Sequence, residues 1–287
     1  MTTRSADLAR FFAATPDAIV CELTAVRGSS PREQGTFMLV GERALFGTIG
    51  GGALEHMVIE HARRLIATGR ATEAMDVPLG PEIGQCCGGR VAVSLDYVDA
   101  ARREALAAQV AAEDAALPHV FVFGAGHVGR ALAQILAMLP VQLEVIDTRR
   151  EELDLLPPGI RSRAVAMPEA VVRAAPMGSS YVILTHDHAL DFLIGQEALA
   201  RVDSPYVGMV GSRTKRARFA SWFRGEGGDE AALARLILPI GEQGLGDKRP
   251  EVIAALAAAE IMVHIGQRQA DSAPVHASRQ LGTAIGR

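Results

Sequence analysis

The segment HVFVFGAGHVGRALAQILAMLPVQLEVIDTR, His119 to Arg149, decides the fold of the C-terminal half of the chain. Val120 to Phe123 is a short apolar run that enters GAGHVG. Val128, Leu132, Ile135, Leu136 and Leu139 then recur at helical spacing, and a second apolar run ends at Asp147. The order is strand, glycine turn, helix, strand. Gly124, Gly126 and Gly129 match G-x-G-x-x-G. In that fingerprint the first glycine makes the tight turn, the second lets an anionic ligand approach the backbone, and the third lets helix and strand pack closely. The N–H groups that open the helix form an anion site. Asp147 follows at about 20 positions, where an acid accepts hydrogen bonds from a ribose diol. The glycines alone are weak, and the strand, helix and acid around them make a Rossmann-type unit the reading. Such a unit can keep its packing glycines without a cofactor, so the motif argues fold more strongly than ligand.

Downstream, Ser162 to Val165, Tyr181 to Leu184 and Tyr206 to Val210 read as strands. Helices separate them at Ala170 to Ala174, after Thr185 and within GSRTKRARFASWF, and a last helix has Pro250 in its first turn. The predicted fold class is α/β, with a C-terminal Rossmann-type doubly wound parallel sheet over 118–265 and a smaller N-terminal α+β domain over 1–99. The alanine-rich, charged stretch 100–117, closed by Pro118, reads as a helical linker. Residues 266–287 show little apolar periodicity and are expected to form a disordered tail.

The N-terminal part opens with a short helix over 6–14 and a strand from Ala18 to Val26. A hairpin of Thr36 to Val40 with Arg43 to Phe46 follows, then a helix with Leu54, Met57, Val58, Ala62, Leu65 and Ile66 on one face and Gly69 at its end. Strands over Thr72 to Val77 and Val91 to Tyr97 complete it. Three loops have unusual composition: RGSSPREQG (Arg27 to Gly35), GTIGGG (Gly47 to Gly52) and GQCCGG (Gly84 to Gly89). At Gly50, Gly51 and Gly52 the backbone can fold into a nest of N–H donors at a helix start, a second candidate anion site beside the bland reading of a flexible loop. Cys86 and Cys87 stand in a glycine loop that can present both thiols together, for a redox, metal or sulfur-handling role. The alternative is that they are small buried hydrophobes. Cys21 lies inside a strand and reads as core.

Composition narrows the function classes. With 287 residues, 49% hydrophobic and 22% charged, the chain reads as an ordinary soluble globular protein of about two domains. A net charge of −4 argues against general binding to nucleic acid or anionic membranes. No apolar run approaches the about 20 residues that span a bilayer, and the N-terminus lacks a signal-peptide pattern, so the cytoplasm is the expected location. Three cysteines, two of them adjacent, exclude a disulfide framework.

Ligands of an open parallel sheet bind outside the carboxyl ends of its strands. Besides GAGHVG, two patches fall there. His186 and His188 lack a third metal ligand nearby and read as hydrogen-bonding groups for a ligand, with Asp187 available as a helix cap. Ser212, Arg213 and Lys215 offer a hydroxyl and two cations at another helix start, suited to a phosphate or carboxylate. Phe219, Trp222 and Phe223 are a candidate docking surface, although aromatics at helical spacing more often pack inward. No matched acid and base accompany the glycine motif, which disfavours a dehydrogenase; an NAD(P)-dependent oxidoreductase therefore stands second.

Taken in order, RGSSPREQG, GTIGGGALE, GQCCGGRV, VFGAGHVGRAL, VIDTR, LTHDHALD, GMVGSRTK and PIG with PEVIAALAAAEI resemble the XdhC/CoxI family across residues 18 to 265. The resemblance implies a non-catalytic molybdenum cofactor chaperone. Such proteins bind molybdopterin, protect it from oxidation, meet a cysteine desulfurase while the sulfido ligand is installed, and deliver the cofactor to the molybdenum subunit of apo-xanthine dehydrogenase. On that reading the two glycine nests take the phosphate, Arg32, Glu33 or Gln34 meets the pterin edge, and Cys86 or Cys87 lies near molybdenum as the soft ligand. NAD(P) is the less favoured cofactor, and self-association a further partner class. The chain departs from the family pattern after Pro239-Ile240-Gly241, where Glu242-Gln243-Gly244 replaces a more apolar run.

Overall fold

The computed structural model describes residues 3–69, 71–81, 88–242 and 246–272. It divides into two compact units, Thr2–Ala116 and Leu117–Arg287.

The N-terminal unit runs α1 (Arg4–Ala14), β1 (Ala18–Arg27), β2 (Phe37–Gly41), β3 (Leu45–Gly47), α2 (Gly52–Thr68), β4 (Thr72–Pro78), β5 (Arg90–Tyr97) and α3 (Ala100–Ala115). Its sheet has the order β3-β2-β1-β5-β4 with every neighbouring pair antiparallel. Strand alternation sends Ile19, Cys21, Leu23, Met38 and Val40 to one face, where Leu54, Val58, Ala62 and Leu65 of α2 cover them. Ala18, Val20, Phe37 and Leu39 face the other side, against Leu8 and Phe11 of α1 and Leu106 and Val110 of α3.

Helix α3 is therefore part of this unit, not a linker. Leu106 and Val110 sit four residues apart on one helical face and are buried. The ends are fastened to α1 by Arg4 with Glu113, by the Ser5 N–H donating to Asp114 at 2.8 Å, and by Arg103 donating to the Thr15 carbonyl at 3.0 Å. Few large side chains suffice because alanine lets the helices approach closely.

The C-terminal unit alternates strands and helices: β6 (His119–Phe123), α4 (His127–Leu136), β7 (Gln142–Asp147), α5 (Arg150–Leu153), β8 (Ser162–Ala164), α6 (Pro168–Ala174), β9 (Ser180–Ile183), α7 (His188–Ala200), β10 (Val207–Met209), α8 (Arg213–Gly225), α9 (Glu230–Ala234), β11 (Leu236–Ile237) and α10 (Pro250–Ser272). All strand pairs are parallel, in the order β11-β10-β9-β6-β7-β8. Counted from β6, that is the Rossmann order 3-2-1-4-5-6 read from the β8 edge. Val120, Val122 and Val145 meet α4 and α10 on one face, and Phe121, Phe123, Tyr181 and Ile183 meet α6, α7 and α8 on the other.

Phe219 and Phe223 belong to that second core, with Trp222 packed on Phe192 at a ring separation of 5.4 Å, so these aromatics are interior and not a docking face. Helix α10 extends to Ser272, past the expected start of the tail at 266; residues 273–287 lie outside the described residues. The buried stripe of this helix ends at Ile265, and the added residues 266–271 are exposed. No helix among the described residues is long and apolar enough to cross a membrane.

Cys21 is fully buried, and burial, helped by the charge of Asp96, pushes its thiol up to about 12. The thiolate is the reactive form. Peptide mapping after alkylation at about pH 8 should find Cys21 unmodified in the folded protein and modified once the chain is unfolded in denaturant. Labelling of Cys21 in the native protein at the rate of a free thiol would contradict this placement.

Candidate functional site

In the C-terminal unit the strand order reverses between β6 and β9, and the loops leaving these two strands flank the position at which open α/β sheets form their ligand crevice. The glycine loop is pressed against its neighbour. A Cβ on Gly124 would lie 2.3 Å from the Leu184 carbonyl oxygen, and one on Gly129 would lie 2.0 Å from the Gly124 carbonyl oxygen. Gly126 differs, since a Cβ there would meet nothing within 4 Å. It is the N-cap of α4, with no side-chain cap, so the space beside the helix start is open. His127, the first residue of α4, is exposed.

Asp147 ends β7 and is only 4% exposed. Its carboxylate accepts from the Ala125 N–H at 2.8 Å, from the Arg149 N–H at 3.0 Å, and from Arg149 Nε and Nη2 at 3.2 Å each. A carboxylate offers about four lone-pair sites, so Asp147 is satisfied internally and is not a free acceptor for a ribose diol. Burial alone would raise its carboxyl group; the hydrogen bonds from Arg149 and from the Ala125 backbone outweigh that and hold it below the usual carboxylate value.

The segment after β9 is built around Asp191, which is fully buried in the first turn of α7. Asp191 Oδ1 accepts from the Thr185 N–H at 3.0 Å and the Thr185 hydroxyl at 2.7 Å, and Oδ2 accepts from the Lys215 ammonium. Lys215 Nζ also donates to the Val210 carbonyl at 2.8 Å. Lys215 is 7% exposed, which corrects its reading as a ligand-facing cation. Its aliphatic stem crosses the sheet end and its charge is spent inside the fold. Ser212 is likewise committed: its hydroxyl caps α8 by accepting from the Lys215 N–H at 3.3 Å. Arg213 remains exposed, 3.8 Å from Glu242. His186 and His188 are exposed on either side of Asp187, which caps α7 by accepting from the Ala189 N–H at 2.7 Å. Among the described residues no group of three or more His, Cys, Asp or Glu side chains is placed to hold a metal ion.

A second cluster lies within the N-terminal unit. Strands β1, β3 and β4 end at the sheet edge where β2 and β5 begin, so the three unusual loops share that edge. Contacts join them. A Cβ on Gly89 would lie 2.0 Å from the Ser29 carbonyl oxygen, and one on Gly50 would lie 2.6 Å from Pro31 Cγ. The neck of the cysteine loop is closed by the Leu79 N–H donating to Gly89 O at 2.8 Å and the Gly88 N–H donating to Leu79 O at 2.9 Å. Cys86 and Cys87 themselves lie outside the described residues. Arg32 and Gln34 are exposed on the first loop.

The glycine nest of the GTIGGG loop is already filled. Glu55, in the first turn of α2, accepts from the Ile49 N–H at 3.2 Å, the Gly51 N–H at 3.0 Å and the Thr48 hydroxyl. The expectation that Gly50, Gly51 and Gly52 form an open anion site is corrected for two of them: Glu55 takes the Gly51 N–H, and the Gly50 N–H donates to the Thr48 hydroxyl at 3.1 Å. Glu55, Arg149 and Asp191 escape a motif-based reading. For Glu55 and Arg149 the available signal was an acid or a base two to four residues from a glycine turn or strand end, positions from which a side chain can fold back on the backbone; Asp191, well past the end of β9, gave no such signal.

Two family models match the chain, the XdhC and CoxI family over residues 13–77 and the XdhC Rossmann domain over residues 120–261. The chain belongs to the XdhC and CoxI family. Among curated relatives, the uncharacterized protein YqeB of Escherichia coli (strain K12) is 30% identical over 249 residues; the match takes in 82% of this chain and spans 41% of that relative's length. A crystal structure described as a xanthine dehydrogenase from Bacillus halodurans aligns over 95% of this chain and 98% of its own, with a TM-score of 0.78 and 18% identity. At that identity the likeness speaks to fold.

Two substitutions probe these contacts. Lys215→Met keeps the stem and strands the Asp191 carboxylate, so it should cost about 3–5 kcal/mol in urea unfolding followed by the fluorescence of Trp222, the chain's one tryptophan. A loss within about 1 kcal/mol would show that Asp191 is not held as described. Asp147 is depressed in the folded state, so its contribution is complete above the unfolded value near pH 4 and fades as pH falls further. Asp147→Asn should accordingly be less stable than the parent at pH 7, and the gap should narrow on acidification below about pH 4.

Proposed function

We propose that this chain is a cytoplasmic accessory protein of molybdenum-enzyme maturation. It carries the molybdenum cofactor, in its molybdopterin form, as cargo and hands it to the molybdenum subunit of a xanthine dehydrogenase. The observation that carries this reading is the meeting of the RGSSPREQG loop, the GTIGGG loop and the neck of the cysteine loop at one sheet edge, in a chain of the XdhC and CoxI family.

The donor set suits that cargo. Molybdopterin presents a phosphate, a pterin edge of donors and acceptors, and a dithiolene that holds the metal. Arg27 and Arg32 are exposed and make no ion pair among the described residues, which fits them to a phosphate. Gln34 offers both a donor and an acceptor to the pterin edge. The Glu55 carboxylate stands in for the anion to which the Ile49 and Gly51 N–H groups donate, so a phosphate enters that nest by displacing it. Cys86 and Cys87 supply soft thiolates for molybdenum or its sulfur, and a cysteine desulfurase is the partner while the sulfido ligand is installed. The chain's own residues hold, orient and shield the cargo; the metal's redox chemistry serves the target enzyme.

An NAD(P)-dependent oxidoreductase is the second reading, favoured by the Rossmann strand order and the open space at Gly126. The saturated Asp147 carboxylate weighs against it.

Titration of the purified protein with molybdopterin and with NADP, in separate experiments, distinguishes the two. Saturable molybdopterin binding, with activation of apo-xanthine dehydrogenase that rises with occupancy, is expected; saturable NADP binding without it would overturn the carrier reading. Cys86→Ser with Cys87→Ser should lower bound cofactor and target activation together. Unchanged values would remove the thiols from the site.

A further inference from the structure

The residue two positions after the Rossmann acid has no role in the carrier reading, yet it contributes three of the four hydrogen bonds that fill the acid. Arg149 reaches Asp147 through its backbone N–H, Nε and Nη2, and its Nη1 continues to Glu152 Oε1 at 3.4 Å. Glu152 Oε2 accepts from Arg130 Nη1 at 2.8 Å, and the same Nη1 donates to the Ala125 carbonyl at 2.8 Å. The ring closes where Ala125 donates its N–H to Asp147. Both backbone polar groups of Ala125 in the glycine loop are thus held, the N–H by Asp147 and the carbonyl by Arg130, within a ring of two carboxylates and two guanidinium groups of balanced charge.

We infer that Arg149 is a specificity-determining residue that occupies the ribose-recognition position of the crevice and keeps NAD and NADP out of it. A nicotinamide dinucleotide needs the acid at the end of the second strand as a free acceptor for its ribose. Here a neutral diol would have to replace a bidentate, charge-assisted pair with hydrogen bonds from hydroxyl donors. The pair is sheltered, with side-chain exposures of 30% for Arg149 and 3% for Asp147, so water weakens it less than at an open surface. A 2′-phosphate could pair with Arg149, but it would then lie against the carboxylates of Asp147 and Glu152, and like charges repel. The charge that draws the phosphate is the charge those acids already use.

This inference stands apart from the carrier reading, and one set of titrations separates them. The full-length protein, Arg149→Ala, Arg149→Gln and the double variant Asp147→Asn with Arg149→Ala are each titrated with NAD, NADP and molybdopterin by calorimetry. Folding of each variant is checked by circular dichroism and thermal melting. The parent should show no saturable binding of either dinucleotide. Arg149→Ala or Arg149→Gln should gain NAD affinity by about tenfold or more, the scale of regained hydrogen bonds to a charged acceptor, and the gain should vanish in the double variant. Saturable dinucleotide binding by the parent overturns the inference, as does a folded Arg149 variant that binds NAD no better, or a gain that survives loss of Asp147. Failure of the carrier reading would appear separately, in the molybdopterin titration of the parent.

Discussion

The Leu184 carbonyl oxygen sits 2.3 Å from where a Cβ on Gly124 would be, and the Gly124 carbonyl sits 2.0 Å from the corresponding position on Gly129. These approaches are closer than any side-chain carbon tolerates, so the glycine loop, the start of α4 and the end of β9 pack as bare backbone. The crevice at the switch point depends on that. A methyl group at either position would push the α4 start away from β9 and separate the two loops that border the crevice. The same constraint recurs in the N-terminal unit, where Gly89 lies against the Ser29 carbonyl and brings the cysteine loop's neck onto the first loop.

Bare backbone brings unpaired N–H groups with it, and both units answer that need with their own carboxylates. Glu55 folds back onto the Ile49 and Gly51 N–H groups, and Asp147 takes the Ala125 N–H. A buried donor left unsatisfied would cost about 1–3 kcal/mol, so an internal acceptor holds the loop in shape before any ligand arrives. The consequence for function is competition. A ligand anion at the GTIGGG loop must replace Glu55, whereas Gly126 faces open space and asks for no displacement. Asp191 follows the same logic one loop away, spending its two oxygens on Thr185 and Lys215 so that the segment bearing His186 and His188 is anchored from beneath.

Most of the fold was legible in the sequence. The change from alternating to helical periodicity around GAGHVG located β6, α4 and β7, and Pro and Gly punctuated the rest. The elements that escaped are short: α5 has four residues, α9 five and β11 two, too few for a period to emerge. Helix α3 was recognised as a helix but misjudged as a linker, because its two anchoring residues, Leu106 and Val110, are sparse in a run of alanine. At the candidate site the glycines and the acid were found by position, while the engagement of Asp147, Lys215, Ser212 and Glu55 was not. A motif states which groups occur at a strand end and says nothing of which neighbours have already claimed them.

The sequence by itself determined the strand and helix order, the location of the glycine turns and membership of a family, since these follow from local spacing and residue type. Tertiary structure alone decided which charges face solvent and which are consumed. Lys215 and Arg213 stand two residues apart at the start of one helix, yet one ends in the core beside Asp191 and the other in water. That difference arises because successive residues on a helix point about 100° apart, and only the packed neighbours of α7 and β10 fix which direction is the interior.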